Sequence, residues 1–226
     1  RESVGCFGQK ENIKRQSLNR NHMLEKYDWK KKEKNFYLSS KEPQLITFPA
    51  FKFFSLSGQG NPNDEFFADY IQCLFSLSYA AKMRWKKETG LDYSVYPLEG
   101  TWSLKSSNQI DSDSFNKNDL QFTLMIRQPD FISKEYAYEI MKQVKNKKQY
   151  PLLDKVTFDI IEEGLCVQML HIGSYDTEPI TFKKMNSFIS MHNLSRTNAI
   201  HREIYLSDAR RVQKDKLKTM LRFQVK

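Results

Sequence analysis

The spacing of hydrophobic and polar residues along this chain predicts an alternation of strands and helices. Apolar side chains crowd short runs bounded by turn residues, which is typical of strands, and elsewhere they recur at the 3.6-residue period of a helix. The predicted elements, in chain order, are strand 44–57, helix 65–88, strands 93–104 and 119–127, helix 133–148, a strand beginning near 156, strand 165–172, helix 179–192, and strands 200–206 and 217–225.

Two of the connections carry signals of their own. Residues 105–118 are polar and lack a hydrophobic period, so they predict a loop. Glu163-Gly164 predicts a turn between two strands of the second half, because glycine accepts the positive φ that tight turns require.

The second half of the chain repeats the order of the first. A shift of 115 residues lays residues 54–58 over residues 169–173 and superimposes the helices that follow. Each copy has the order strand, helix, strand, strand, with halves at about 43–130 and 131–226. Two such units predict an α+β fold, in which one antiparallel curved sheet carries helices on one face and leaves the other face free to curve around a ligand.

The positive charge of the chain is concentrated near its start. The 226 residues include 36 Lys and Arg against 27 Asp and Glu, a formal net charge of +9, and residues 1–34 contribute +5 of it. Residues 1–22 have no apolar period and predict an added or disordered leader ahead of a single domain at 23–226. The basic run Lys30-Lys31-Lys32 is then interpreted as a solvated lead-in, with a nucleic-acid-binding arm as the less favoured alternative.

Features that the sequence lacks exclude several classes of protein. There is no run of 18 apolar residues, so no membrane-spanning helix is expected, and no secretory signal is recognised. The three cysteines, Cys6, Cys73 and Cys166, are too few and too far apart for a disulfide framework or a CxxC zinc site. This cysteine usage favours the reducing cytoplasm.

Sequence signatures of common cofactor and nucleophile sites are also absent. Gly58-Gln59-Gly60 lies between a predicted strand and a predicted helix, but Asn63 stands where a dinucleotide fingerprint has its third glycine. No P-loop, nucleophile elbow or HExxH zinc signature occurs. We therefore expect no cofactor and no metal, and a site built from ordinary side chains.

A set of short stretches, spread over about residues 24–226, resembles the stand-alone branch of the GyrI-like family of small-molecule-binding proteins. The stretches are Lys26–Lys30, Gly58–Asn63, Tyr96–Trp102, Met125–Phe131, His171–Asp176 with Glu178-Pro179, His201–Arg211 and Lys216–Arg222. The resemblance implies the duplicated fold, with a ligand cleft between the halves in which an aromatic cage adjoins an acidic residue on a central strand.

By this resemblance, Glu203 and Trp102 are the main site candidates. The central strand corresponds to residues 201–206, and strand alternation puts Glu203 on the same face as Tyr205. We interpret Glu203 as the pocket carboxylate and Trp102 as the main stacking wall, and the alternatives are a solvated strand glutamate and a core tryptophan. The family often has a second aromatic residue directly after this tryptophan, where this chain has Ser103.

Four tyrosines complete the candidate set for ligand binding. Aromatic residues make up 13% of the chain, and most of the 16 phenylalanines are expected in the core. Tyr79 and Tyr138 lie away from the core stripes of their helices, and Tyr96 and Tyr205 lie on strands near the family-like stretches. All four are predicted as secondary ligand contacts.

The resemblance also implies a function. Stand-alone proteins similar to this one include hydrolases that open the cyclopropane ring of cyclopropanoid DNA-alkylating natural products of the yatakemycin class. The expected ligand is a planar aromatic small molecule, and Glu203 would orient or deprotonate the attacking water inside an aromatic pocket. The alternatives are a non-catalytic protein that sequesters planar or cationic aromatic xenobiotics, and a protein-interaction module. Neither a nucleic acid nor a membrane is expected as a partner.

Overall fold

The computed structural model describes residues 26–37, 40–105, 116–147 and 150–226. The expected leader, residues 1–22, lies outside this described part, as do residues 106–115 of the predicted loop. The helices are α1 Trp29–Lys32, α2 Lys34–Tyr37, α3 Phe66–Thr89, α4 Lys134–Lys147 and α5 Glu178–Met191. The strands are β1 Gln44–Gln59, β2 Leu98–Leu104, β3 Leu120–Gln128, β4 Thr157–Ile172, β5 His201–Tyr205 and β6 Lys218–Gln224.

The six strands form one antiparallel sheet in the order β1-β3-β2-β5-β6-β4, and pairing of β4 with β1 closes the sheet into a barrel. The two halves, β1-α3-β2-β3 and β4-α5-β5-β6, have the same order of elements. Equivalent strands of the two halves, β1 with β4 and β2 with β5, pair at the two seams. The predicted α+β fold of duplicated strand-helix-strand-strand units is confirmed, and the structure adds the closure of the sheet.

The predicted turn at Glu163-Gly164 is wrong, because β4 runs without interruption through these residues. Gly164 has a φ of 64° and lies opposite Phe48 of β1. Pairing with β1 continues on both sides of this glycine, from Gln168 back to Thr157. The hydrogen bonds to β1 outweigh the local preference for a turn, so the glycine bends the strand without reversing the chain.

Helices α3, α4 and α5 pack on the outer face of the barrel in two groups. Leu74 and Leu77 of α3 are fully buried in a core that α4 shares and that covers the first half. Phe182 and Met185 of α5 are buried in a second core over β4 and β6. The β2–β5 seam therefore lies between the two helical layers.

The inner face of the barrel carries a buried network of charged side chains. Arg202 places Nη1 2.8 Å from Glu99 Oε2 and Nε 2.9 Å from Glu163 Oε1. Arg222 places Nη1 2.5 Å from Glu163 Oε2 and donates to Gln168 Oε1 at 2.6 Å. Burial raises the pKa of Glu163, but the charges of Arg222 and Arg202 outweigh burial and hold this pKa below its usual range.

The segment that contains α1 and α2 packs against this inner face. The ring of Trp29 stacks on Tyr96 with centroids 5.8 Å apart, and the hydroxyl of Tyr37 donates to Glu99 Oε1 at 3.2 Å. Residues 30–32 are exposed, as expected for a solvated run, but Trp29 before them and Tyr37 after them are buried. At this end the segment fills the inner face of the barrel. A segment this short has too few residues for a hydrophobic period, so the sequence did not predict its packing.

None of the described helices is long and apolar enough to cross a membrane.

Candidate functional site

The candidate site lies on the outer face of the β2–β5 seam. The register of these strands pairs Gly100 with Glu203 and Trp102 with His201. Opposite residues of an antiparallel pair share a face, so Glu203 and His201 lie on the same side as Trp102, and alternation places Tyr205 there as well. The structure thus brings together three of the six predicted site residues: Glu203, Trp102 and Tyr205.

A chain of hydrogen bonds connects these side chains. The indole Nε1–H of Trp102 donates to the hydroxyl of Tyr205 at 3.0 Å, and that hydroxyl donates to Glu203 Oε2 at 2.8 Å. His201 Nε2 lies 3.0 Å from the other carboxylate oxygen, Glu203 Oε1. Both oxygens of Glu203 are therefore held, and its carboxylate has a defined orientation.

Gly100 makes this arrangement possible. A Cβ at this position would lie 2.8 Å from Trp102 Nε1 and 3.2 Å from Leu124 Cδ2. The indole therefore occupies space that any other residue would fill, and from there its N–H reaches Tyr205 on the neighbouring strand.

The ring of Trp102 belongs largely to the core. Only 5% of the residue is exposed, and its ring lies 6.0 Å from Phe67 and 5.5 Å from Phe122, measured between centroids. The alternative of a core tryptophan therefore describes the ring, whereas the indole N–H forms its hydrogen bond in the candidate site. A ligand can reach only a small part of this indole without movement of its neighbours.

Glu178 is a further member of the site that the sequence analysis did not identify. It is the first residue of α5, it is 6% exposed, and its Oε1 has no hydrogen-bond partner among the described residues. Burial raises the pKa of Glu178 well above its usual range, and the charge of Glu203 raises it further. A helix N-terminus stabilises a negative charge by only about 0.3–1 kcal/mol, which does not offset burial beside a second carboxylate.

The only sequence signal for Glu178 was its place in the family-like stretch Glu178-Pro179, where proline at the second helical position indicates a helix start. An acidic residue at that position is usually a solvated residue that favours the helix dipole. Its neighbour Glu203 lies on β5, and no local pattern relates the two positions.

Tyrosines surround the two carboxyl groups. The rings of Tyr175 and Tyr205 meet edge to face with centroids 6.0 Å apart, and Tyr175 is 41% exposed. Burial and the charge of Glu203 raise the pKa of Tyr175 to about 12 and that of Tyr205 well above its usual value. Both phenols are therefore neutral donors near pH 7, and Tyr175 forms the solvent-facing side of the site.

A hydrogen-bonded turn holds Tyr175 and the start of α5 in place. His171 of β4 places Nδ1 2.8 Å from Thr181 Oγ1 and Nε2 3.0 Å from the carbonyl oxygen of Ser174. Gly173, with a φ of 141°, leads into this turn. The buried His171 thus fixes the backbone that presents Tyr175 and Glu178.

The other three predicted tyrosines lie elsewhere. Tyr96 is buried on the inner side, where its hydroxyl donates to Glu33 Oε1 at 2.5 Å. Tyr79 of α3 is 52% exposed and Tyr138 of α4 is 48% exposed, on the outer surfaces of their helices. The structure does not bring these three side chains to Glu203.

A cavity of about 660 Å³ borders Trp102 on a side away from Glu203. Its lining is rich in hydroxyl and amide groups and includes Ser57, Thr101, Ser103 and Thr123. Glu203 is not among the residues that line it. Trp102 therefore borders two regions, this polar cavity and the carboxylate cluster.

Within the described ranges, no group of three or more His, Cys, Asp or Glu side chains is arranged to hold a metal ion. The chemistry that this site offers is that of two carboxyl groups, a histidine and tyrosine hydroxyls beside aromatic rings.

Comparison with known proteins agrees with this architecture. The model of the GyrI-like small molecule binding domain matches residues 41–226, and the chain belongs to this family. No curated protein gives a significant match.

Solved structures from Listeria innocua are similar over nearly the whole chain. A conserved protein has 32% identity and a TM-score of 0.81, and a hydrolase has 31% identity and a TM-score of 0.77. Each match covers 89% of this chain and 100% of the Listeria chain. The C-terminal domain of EcmrR, with 12% identity and a TM-score of 0.52 over 82% of this chain and 97% of that domain, shares the fold alone.

Proposed function

We propose that this protein is a cytoplasmic hydrolase that opens the cyclopropane ring of cyclopropanoid DNA-alkylating natural products of the yatakemycin class, and so detoxifies them. The observation that carries the proposal is the Glu203 carboxylate, which is oriented through both oxygens and keeps 12% of its side chain open to solvent. The similarity to a Listeria innocua hydrolase at 31% identity supports the choice of hydrolysis.

In the proposed reaction, a water molecule attacks the methylene carbon of the cyclopropane. The bond from that carbon to the ring system breaks, and its electron pair moves to the conjugated carbonyl oxygen, which becomes a phenolate. Glu203 accepts a proton from the attacking water. Transfer of this proton to the phenolate oxygen then completes the addition of one water molecule. No covalent intermediate with the protein is needed.

The surrounding residues hold Glu203 for this role. Tyr205 and His201 each engage one carboxylate oxygen, and Trp102 fixes the Tyr205 hydroxyl. Tyr175 offers an exposed aromatic ring beside the carboxylate, against which a flat ligand can stack. Among the aromatic residues, Tyr175 and Tyr205 are therefore the proposed ligand contacts.

Incubation with a cyclopropanoid alkylator, followed by mass spectrometry of the ring-opened product, tests the proposal. The unmodified protein should turn the compound over, and Glu203→Gln should lower the rate by at least about 100-fold, the range expected for loss of a general base. Glu162→Gln, which alters an exposed strand glutamate, is the matched control and should retain the full rate. No turnover above buffer, or full turnover by Glu203→Gln, would refute the proposal.

The site geometry also favours a second candidate function, the non-catalytic binding of planar aromatic cations. A buried carboxylate next to two tyrosine rings attracts a cation through charge and through the negative faces of the rings. Saturable binding of such a dye, together with an absence of ring-opened product, would favour this function over hydrolysis.

A further inference from the structure

The carboxyl groups of Glu178 and Glu203 belong to one site, and their surroundings determine where a proton is held. The ring contact between Tyr175 and Tyr205 brings the start of α5 against β5, and the charge of Glu203 acts on Glu178. Two ionised carboxylates offer each other only acceptors, so a hydrogen bond between them requires a proton. Glu178 is 94% buried, since 6% of it is exposed, and its Oε1 has no hydrogen-bond donor among the described residues. A proton on Glu178 satisfies both observations.

The two carboxyl groups differ in their hydrogen-bond partners. Glu203 accepts from the hydroxyl of Tyr205 and lies within hydrogen-bond distance of His201 Nε2. In the described part of the chain, no lysine or arginine bonds to either carboxyl group, so no permanent charge compensates a second anion. The titratable groups that face the pair are His201 and Tyr205 of β5, Tyr175 and Asp176 of the turn, and, through Thr181 and Thr177, His171 of β4.

We propose that Glu178 carries the proton of this pair and releases it when an organic monocation binds beside Glu203. The inference rests on the ligand position in the proposed function, but not on hydrolysis. A bound cation supplies the positive charge that allows both carboxyl groups to ionise, so the cation replaces the proton at nearly constant charge in the site. The ligand class is a planar aromatic cation with one positive charge, and a neutral planar compound binds without moving a proton.

Isothermal titration calorimetry in buffers of different ionisation enthalpy measures the protons released. The probes are ethidium, whose charge does not titrate, and the neutral analogue 6-phenylphenanthridine. For the unmodified protein near pH 7 we expect release approaching one proton per ethidium bound and none for the neutral compound. Glu178→Gln, which mimics a protonated glutamate in shape, should bind ethidium with no release. Glu162→Gln, at an exposed strand position, should behave like the unmodified protein.

The stability of the ligand-free protein provides a second measurement. A pKa raised by folding contributes stability that is complete below the unfolded pKa of about 4.3 and is lost as the pH rises towards the folded pKa. The folding equilibrium constant should therefore fall by up to about tenfold per pH unit in that interval, and Glu178→Gln should remove this dependence.

Failure of ethidium to bind, binding without proton release, or full release by Glu178→Gln would overturn this inference. An unchanged pH dependence of stability in that variant would also overturn it. Ring-opening activity is scored in a separate assay, so the loss of the proposed hydrolysis with proton release intact would remove the proposed function alone.

Discussion

Substitution of Gly100 by alanine probes how the site is built. The new Cβ would lie 2.8 Å from Trp102 Nε1 and 3.3 Å from Trp102 Cε2, so the indole must move away from Tyr205. Overpacking costs about 1–3 kcal/mol. Loss of the hydrogen bond from Trp102 to Tyr205 costs about 0.5–1.5 kcal/mol. Alanine also reduces the conformational freedom of the unfolded chain, which stabilises the folded protein by about 0.4–1 kcal/mol. The free energy of unfolding should therefore fall by about 2 kcal/mol.

A double-mutant cycle with Trp102→Phe isolates the contact. Phenylalanine has neither of the two indole atoms that the new Cβ meets, and the remaining close atom is Leu124 Cδ2 at 3.2 Å, the end of a flexible side chain. In this background Gly100→Ala should cost close to nothing, so the coupling energy should be about 2 kcal/mol. Urea unfolding followed by far-ultraviolet circular dichroism measures all four proteins, because this signal does not depend on Trp102.

Equal costs in the two backgrounds would refute this reasoning, because the cost would then not arise from contact with the indole. Binding gives a second readout of the same geometry. Gly100→Ala frees the Tyr205 hydroxyl from its fixed donor, and the orientation of Glu203 should loosen, so ligand binding at the site should weaken together with stability.

Two further predictions concern the buried groups outside the site. Glu163→Gln leaves two buried guanidinium groups without their shared carboxylate and should lower the free energy of unfolding by about 3 kcal/mol, whereas Asp208→Asn, at an exposed ion pair, should change it little. Because the folded-state pKa of Glu163 is lowered, the stability that Glu163 contributes is complete above its unfolded pKa and is lost as the pH falls. The free energy of unfolding of Glu163→Gln should therefore depend less on pH in the acid range, and an unchanged acid profile would contradict this. Burial raises the pKa of Cys73 to about 11 and that of Cys166 to about 12, so a Cys6→Ser protein should expose no thiol to a disulfide reagent until it unfolds, and rapid native labelling would disagree.

Local patterns predicted most elements to within two residues, apart from β2, which begins at Leu98, β4, which is one strand instead of two, and the short helices α1 and α2. Helix 65–88 is found at Phe66–Thr89 and helix 179–192 at Glu178–Met191. The strand at 200–206 is found at His201–Tyr205, and its alternation already placed Glu203 and Tyr205 on one face. These successes share one cause, since the period of apolar residues is set by the element itself and needs no distant partner.

Predictions that depended on distant partners were less complete. Tyr79, Tyr138 and Tyr96 lie at positions that their local patterns allowed, yet the packing puts the first two in solvent and the third inside the barrel. Glu163-Gly164 has the composition of a turn, but pairing with β1 keeps the strand extended. In each case contacts with another part of the chain decided between two locally acceptable arrangements.

By itself, the sequence determined the approximate bounds of most elements, the duplication, the family and the face of β5 that carries Glu203. Only the tertiary structure decided that Trp102 reaches Tyr205 across a glycine, and that Glu178 is buried against Glu203. The physical reason is that periodicity reports which side of an element is apolar. The protonation and orientation of a carboxylate depend instead on groups that register and closure of the sheet bring within hydrogen-bond distance.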